Sequence, residues 1–344
     1  MSSRARLRTA SAIALTVAVS AGTLLLTACD PADPAGGANA TAAATASAAP
    51  TAQAAGSGKP SAPAGSASPS AKPAPSLNNT AHNGLTISNG TRYVLMNGTR
   101  VDFGTEVRDL AWSPDGGSAA FVDGSGDLVV AKPDGSGRAV VAKNPGGQTW
   151  SHPTWQVSAA DEYGPARSNL FFTAEDKGVL RLMGVESAAR GGAPHALSLG
   201  HESGDNVAEL PQTGNLWPSG GGEHGSAVYA NRTTGQVYIR DDYLRQQGNA
   251  IGPGSEPALS PHGDDVVFVR SVNGHSHIFE LGLDGKPAKD LTPQAAADYT
   301  EPAFSADGRT LAVRAADGVY TLPLDGSAAP TRVSDTPGLP AYRR

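Results

Sequence analysis

From about residue 91 onward the hydrophobic positions fall into short β-rich runs, and the intervals between them are turn pairs. Val266-Val-Phe-Val269 is followed by Asn273-Gly274, then His277-Ile-Phe-Glu-Leu281, then Asp284-Gly285 and a short Lys289-Asp-Leu-Thr292. Thr310-Leu-Ala-Val313, Asp317-Gly318, Val319-Tyr-Thr-Leu322 and Asp325-Gly326 repeat that order, as do Ala120-Phe-Val122, Asp127-Leu-Val-Val130 and Asp134-Gly135. Asn-Gly and Asp-Gly supply the positive φ that tight hairpins require. The pattern predicts an all-β domain built from four-stranded meanders.

Each meander opens on a variant of one phrase. Leu110-Ala-Trp-Ser-Pro-Asp-Gly116, Pro257-Ala-Leu-Ser-Pro-His-Gly263 and Pro302-Ala-Phe-Ser-Ala-Asp-Gly308 are clear copies. Pro153-Thr-Trp155, Asn215-Leu-Trp217 and Pro340-Ala-Tyr342 are weaker ones. The large residues Trp112, Trp155, Trp217, Leu259, Phe304 and Tyr342 are spaced by 43, 62, 42, 45 and 38 positions. Periods of roughly 40–45 belong to four-stranded propeller blades. At the other end, Thr91-Arg-Tyr-Val-Leu95 and Thr99-Arg-Val-Asp-Phe103 flank Asn97-Gly98 without a clear opening phrase, whereas Leu339-Pro-Ala-Tyr342 is an opening phrase with nothing after it. Joining the two ends in one blade closes the ring and removes its exposed edges. The expectation is a six-bladed β-propeller over residues 81–344; a seventh, degenerate blade inside the 62-residue interval is the rival count.

The phrase Trp112-Ser-Pro-Asp-Gly116, followed by a β-run, a turn and a second β-run ending near Asp-Gly, resembles the repeat of TolB-type (PD40, WD40-like) six-bladed propellers. The resemblance covers most of residues 84–342. It implies an extracytoplasmic scaffold that binds other envelope proteins. It differs from TolB in that only a spacer, and no α/β domain, is evident ahead of the ring.

Composition divides the rest of the chain. Residues 30–80 hold 18 alanines among Pro, Ser, Thr and Gly, with Leu77 the one large aliphatic and no aromatic. Such a stretch cannot bury enough apolar surface to offset its ordering entropy, so residues 29–80 read as a disordered tether. Ahead of it, Arg4, Arg6 and Arg8 precede an uncharged stretch from Ser11 to Leu26, the layout of a secretory signal over 1–28. At 16 residues, that stretch is short of the ~20 needed to span a bilayer. Leu26-Thr-Ala-Cys29 resembles the bacterial lipobox, which implies acylation of Cys29 as the mature N-terminus. The alternative is an incidental cysteine after an ordinary signal. Cys29 is the single cysteine of the chain, so no intramolecular disulfide is possible. A tether of this length would reach about 35–45 Å by flexible-chain scaling. The expected location is the extracytoplasmic face of the bacterial cell membrane, with the membrane itself as one partner.

Charge and motifs bear on partners and chemistry. The chain carries a net charge of −6 and residues 81–344 carry −9, which argues against a nucleic-acid-binding face. The residues three before each large residue should ring the mouth of the central channel: Asp109, His152, Gly214, Glu256, Glu301 and Leu339. Asp109, His152, Glu256 and Glu301 are thus the candidate binding residues, suited to a cation or to a basic or hydroxylated group; the bland alternative is that they are simply hydrated. His275 and His277 share one side of a strand but lack an evident third ligand, so no metal or other cofactor is expected. His201–Asp205 should lie on the face of the carboxylate ring and Asp161–Pro165 on the opposite face, as specificity loops or as tolerated insertions. No Gly-x-Ser-x-Gly elbow occurs, and Ser305-Ala-Asp-Gly308 misses the sialidase-type box. The reading is a lipid-anchored binding scaffold for an envelope protein or small ligand, a monomeric domain rather than an enzyme. Its alternative is a propeller hydrolase or lyase on envelope glycans or peptides that uses the ring carboxylates.

Overall fold

A computed structural model describes residues 76–203, 208–241 and 247–344. The signal segment 1–28, Cys29 and tether residues 30–75 lie outside the described residues. No helix occurs among those described; six sheets of antiparallel meanders follow one another. Blade one pairs Leu339–Tyr342 with Leu85–Ser88, Tyr93–Met96 and Thr99–Asp102. Blade two is Arg108–Trp112, Ala119–Val122, Leu128–Ala131 and Ala139–Ala142, and blade three is Gln148–Ser158, Arg167–Asp176, Val179–Glu186 and His195–Ala196. Blade four is Asn215–Gly221, Ser226–Asn231, Gln236–Asp241 and Gln247–Pro253. Ser255–Leu259, Asp265–Val272, His275–Gly282 and Lys289–Asp290 form blade five; Thr300–Phe304, Thr310–Ala315, Gly318–Pro323 and Thr331–Ser334 form blade six. The first strand named for each blade is the innermost, and each innermost strand contacts the next, the strand of blade six reaching that of blade one and that of blade one reaching blade two. The ring is therefore closed with six blades.

Closure is made as the sequence predicts, by the last strand of the chain. Leu85, Thr86, Ile87 and Ser88 pair with Tyr342, Ala341, Pro340 and Leu339. Thr86 Oγ1 donates to the Ala341 carbonyl at 2.9 Å and accepts from Trp112 Nε1 at 2.9 Å, so one hydroxyl joins both chain ends to blade two. The strand Leu85–Ser88 itself escaped the pattern reading, and Tyr93–Met96 starts two residues later than predicted because Asn89 Oδ1 holds Thr91 in a turn. The propeller also begins upstream of residue 81. Asn78 bridges Ser334 on the outer strand of blade six, Asn79 N–H donates to the Val333 carbonyl at 2.8 Å, and Thr80 is fully buried with its hydroxyl capping Gly98 N–H. Residues 76–80 thus leave the tether and join the fold.

The repeated phrase has a local cause. In blade two Ser113 Oγ accepts from Ser118 N–H and donates to Asp115, which accepts from Gly117 N–H, while Gly116 takes φ 68°. In blade six Ser305, Asp307 and Thr310 make the same bonds, and in blade five Ser260, Asp264 and Asp265 make a variant. Serine closes the hairpin from inside, aspartate satisfies the turn's free N–H groups, and glycine absorbs the left-handed position.

The core lies between blades, not in the centre. Val94, Phe103, Trp112 and Phe121 pack at the blade one to two boundary; Val122, Leu128, Trp150, Leu170 and Phe172 at the next; Val267, Ile278, Phe304, Leu311 and Val313 between five and six. Each such side chain contributes roughly 1.5–3 kcal/mol by leaving water. Large residues are therefore used up at the blade faces, which leaves the axis hollow. The 62-residue interval holds longer strands and a fifth strand on blade four, His201–Glu202, paired in parallel with Gln247–Gly248 on the outer edge. His201–Glu202 thus covers an otherwise unpaired strand edge at the periphery, and Asp205 of the His201–Asp205 segment lies outside the described residues.

Candidate functional site

Five of the six innermost strands carry the same irregularity. The register shifts between Arg108 and Ala111, Ser151 and Thr154, Leu216 and Ser219, Ser255 and Ala258, and Thr300 and Ala303. In each bulge a non-glycine residue sits in the left-handed region: Asp109 (φ 55°), His152 (51°), Trp217 (52°), Glu256 (50°) and Glu301 (49°). A bulge turns its residue out of the ladder and frees its N–H, and here the preceding blade supplies the acceptor. His152 N–H donates to Asp109 Oδ2 at 3.1 Å, Glu301 N–H to Glu256 Oε2 at 2.7 Å, and Trp217 N–H to Thr173 Oγ1 at 3.2 Å. Two positions further on, a second layer repeats the stitch: Thr154 Oγ1 accepts from Gly220 N–H and Ser219 Oγ from Leu259 N–H.

The ring holds five of the six residues expected from spacing: Asp109, His152, Glu256 and Glu301 in bulges, and Leu339 at the equivalent place in blade one without a bulge. Gly214 does not belong to it. Trp217 occupies that position, because the register of blade four is displaced by three residues and Gly220, not Trp217, stands where the other blades have a large side chain. A Cβ on Gly220 would fall on the Trp155 carbonyl oxygen of blade three, so only glycine admits that approach. A legible signal existed: His152, Trp217, Glu256, Glu301 and Leu339 all precede proline, Asp109 alone preceding leucine.

The side chains meet across blades. His152 Nε2 lies 3.5 Å from Glu301 Oε1 and Nδ1 lies 3.8 Å from Asp109 Oδ2, while Glu301 Oε2 accepts from Arg314 Nη1 at 3.2 Å. The Trp217 ring stands edge-on to the imidazole at 6.2 Å between centroids. Burial, the largest influence on His152, would lower its pKa, but the Glu301 contact and the charges of Asp109, Glu301 and Glu256 outweigh it and hold the imidazole above its ordinary value. Burial likewise opposes ionisation of Glu301, yet His152 and Arg314 prevail and keep its carboxyl below the usual range. Glu256 goes the other way: burial, with the nearby Glu301 charge, raises it. It enters no ion pair among the described residues.

Above the ring the channel widens into a funnel of about 760 Å³ lined by all six innermost strands. Its next layer is small throughout: Ala111, Thr154, Ser219, Ala258, Ala303 and Ala341. The rim is formed by the turns at Pro114, Glu223 and His262, together with Arg344. The Asp161–Pro165 hairpin follows the far end of the inner strand of blade three, on the side away from the ring as expected, with Tyr163 64% exposed. His275 and His277 each lie beside an aspartate. His277 Nδ1 is 2.8 Å from Asp290 and His275 Nδ1 3.7 Å from Asp298, and no group of three or more His, Cys, Asp or Glu among the described residues can hold a metal ion.

No protein-family model and no curated protein matches the chain. Solved structures do. TolB from Acinetobacter baumannii superposes with a TM-score of 0.54 at 15% identity over 75% of this chain, which spans 65% of the length of that TolB chain. A TolB-type protein from Agrobacterium tumefaciens gives 0.52 at 17% identity, covering 74% of this chain and 89% of its own. Oligogalacturonate lyase in complex with manganese matches at 12% identity, 71% of this chain and 70% of that one, with a TM-score of 0.44, too low to carry an argument. At these identities the likeness is one of fold, and residues 76–344 form a TolB-like six-bladed β-propeller.

Proposed function

We propose that the protein is a lipid-anchored scaffold of the bacterial cell envelope whose propeller binds a partner protein or ligand in the central funnel. One observation carries the binding role: the six inner strands enclose a funnel of about 760 Å³, with a small-residue layer at Ala111, Thr154, Ser219, Ala258, Ala303 and Ala341 and a ring of polar side chains at its narrow end. The anchor rests on Leu26-Thr-Ala-Cys29 behind a basic and apolar leader, with acylation at Cys29 placing the domain outside the cytoplasmic membrane. Acyl chains contribute on the order of 0.8 kcal/mol per buried CH₂, so more than one chain on Cys29 anchors stably.

The enzymatic reading keeps one point in its favour, since Asp109, Glu256 and Glu301 do line a single funnel. Against it, Asp109 and Glu256 each accept a backbone N–H of the next blade and Glu301 is engaged by His152 and Arg314, so each is tied into the ring. Binding is the better use of this geometry.

Two measurements test the proposal. Cys29→Ala should move the protein from the detergent to the aqueous phase in a partition assay; unchanged partitioning contradicts the anchor. Ala303→Trp, filling the small-residue layer, should abolish recovery of the partner that co-purifies with the full chain while the far-UV spectrum and thermal transition persist. Recovery undiminished by the plug contradicts binding in the funnel.

A further inference from the structure

Resting on the reading of the funnel as a binding site, the arrangement of its walls and ring narrows what can enter it. The lining residues include four carboxylates, Asp109, Glu223, Glu256 and Glu301, against one arginine, Arg344, and the histidines His152 and His262. Within the ring the charges are unevenly matched. Glu301 is engaged through both oxygens, by His152 and by Arg314. Glu256 uses Oε2 for the Glu301 N–H and has no ion-pair partner of its own among the described residues, feeling His152 and Arg314 only at longer range, and Asp109 uses Oδ2 for the His152 N–H. One oxygen of Glu256 and one of Asp109 therefore remain uncommitted, on two different blades.

We infer that the funnel takes an alkylammonium group, a lysine-type chain whose apolar stem lies in the sleeve of Ala111, Thr154, Ser219, Ala258, Ala303 and Ala341 and whose head is received by Glu256. Three points select this chemistry. A half-buried carboxylate without a counter-ion is costly, and a cation delivered to it removes that cost. Glu256 offers a single free oxygen, which suits a compact ammonium head; the planar fork of a guanidinium wants two oxygens of one carboxylate. Four of the six residues in the layer above the ring are alanines, and the Thr154 and Ser219 hydroxyls already accept backbone N–H groups of the next blade, so the layer accepts an unbranched apolar stem. Leu339 and Trp217 complete the ring with apolar faces, and Trp217 adds a π surface beside the head.

The same group can arrive as a free amine or as a lysine of a partner protein, and the test separates them. Isothermal titration of the full chain in detergent, against a detergent blank, uses n-pentylammonium, pentanol, pentanoate and the blocked tripeptide acetyl-Ala-Lys-Ala-amide. The expected result is saturable binding of pentylammonium or of the tripeptide, at least tenfold weaker in Glu256→Gln, and none of pentanol or pentanoate. A tripeptide bound tenfold more tightly than pentylammonium identifies a partner lysine as the source; the reverse order identifies a free amine. Binding of pentanol as tight as that of pentylammonium, indifference to Glu256→Gln, or no binding of either amine overturns the inference. Partner recovery lost in Ala303→Trp but unchanged in Glu256→Gln would refute the cation and leave the funnel reading intact, whereas recovery unchanged in both would refute the funnel reading itself.

Discussion

The backbone N–H of Glu301 donates to the carboxylate of Glu256, 45 positions earlier and one blade away, at 2.7 Å. The bond exists because Glu301 sits in a left-handed bulge that breaks its own ladder pairing, and it ties the inner strands of blades five and six together at the ring. Glu256 is thus a charge in the funnel and an acceptor in the fold at once. Substitutions can separate the two.

Glu256→Ala leaves the Glu301 N–H without an acceptor and should destabilise the propeller by about 1–3 kcal/mol. Glu256→Gln keeps an acceptor oxygen and removes a partly buried charge, so its stability should equal or exceed that of the parent chain. Equilibrium denaturation in urea measures both. Equal losses in the two variants would show that the ring needs the charge rather than the acceptor.

The ring also sets a pH dependence. His152 is faced by Asp109 and Glu301, with Glu256 and Arg314 nearby, and its pKa lies above 6.5 in the fold. Its contribution to stability is complete below that unfolded value and is lost as pH rises through the folded one. Glu301, held below 4.5, contributes above 4.5 and loses its contribution as pH falls through its own folded pKa. Glu256 is raised and opposes stability once ionised. The His152–Glu301 pair should therefore be strongest between about 4.5 and 6.5. NMR titration of the His152 ring should give a pKa above 6.5 that drops in Glu301→Gln, because burial then meets less opposition. No drop would mean that Asp109 alone holds the proton.

Gly220→Ala puts a methyl group on the Trp155 carbonyl and should cost several kcal/mol or prevent folding, since backbone must move. Gly146→Ala is the control: it has the same backbone strain as any positive-φ glycine (85°) but open space around it, and should cost only about 1 kcal/mol. Thermal unfolding of the two separates packing from conformation.

Loss of Leu339–Tyr342 exposes the edge of Leu85–Ser88 and leaves Thr86 and Trp112 without the Ala341 link. A chain ending at residue 338 should form soluble aggregates on size-exclusion chromatography where the full chain elutes as a single species. Monomeric elution would mean that closure is dispensable.

The architecture was legible because its signals are local and repeated. Ser113, Ser260 and Ser305 each close a hairpin with bonds inside one seven-residue phrase, so the phrase announces the blade. Ring closure is legible in the opening phrase Leu339-Pro-Ala-Tyr342, which supplies the inner strand that blade one otherwise lacks. What stayed hidden depends on contacts between distant segments. The size of Trp217 matches Trp112 and Trp155 and so suggests a blade residue, yet the close approach of the Trp155 carbonyl requires glycine at 220 and Trp217 falls in the ring. Asn78 and Thr80 look like tether, and only the outer strand of blade six makes them part of the domain. His201–Glu202 looks like a loop until the edge of blade four is present to pair with it.

The central claim is that recognition occurs inside the ring of blades. The most direct measurement is photo-cross-linking in intact cells from a photoreactive residue at Ser219, in the funnel, compared with one at Arg332 on the outer strand of blade six. The account predicts one discrete adduct from position 219 that disappears in Ala303→Trp, and none of the same mass from position 332. An adduct formed equally from both positions, or from 332 alone, would contradict it.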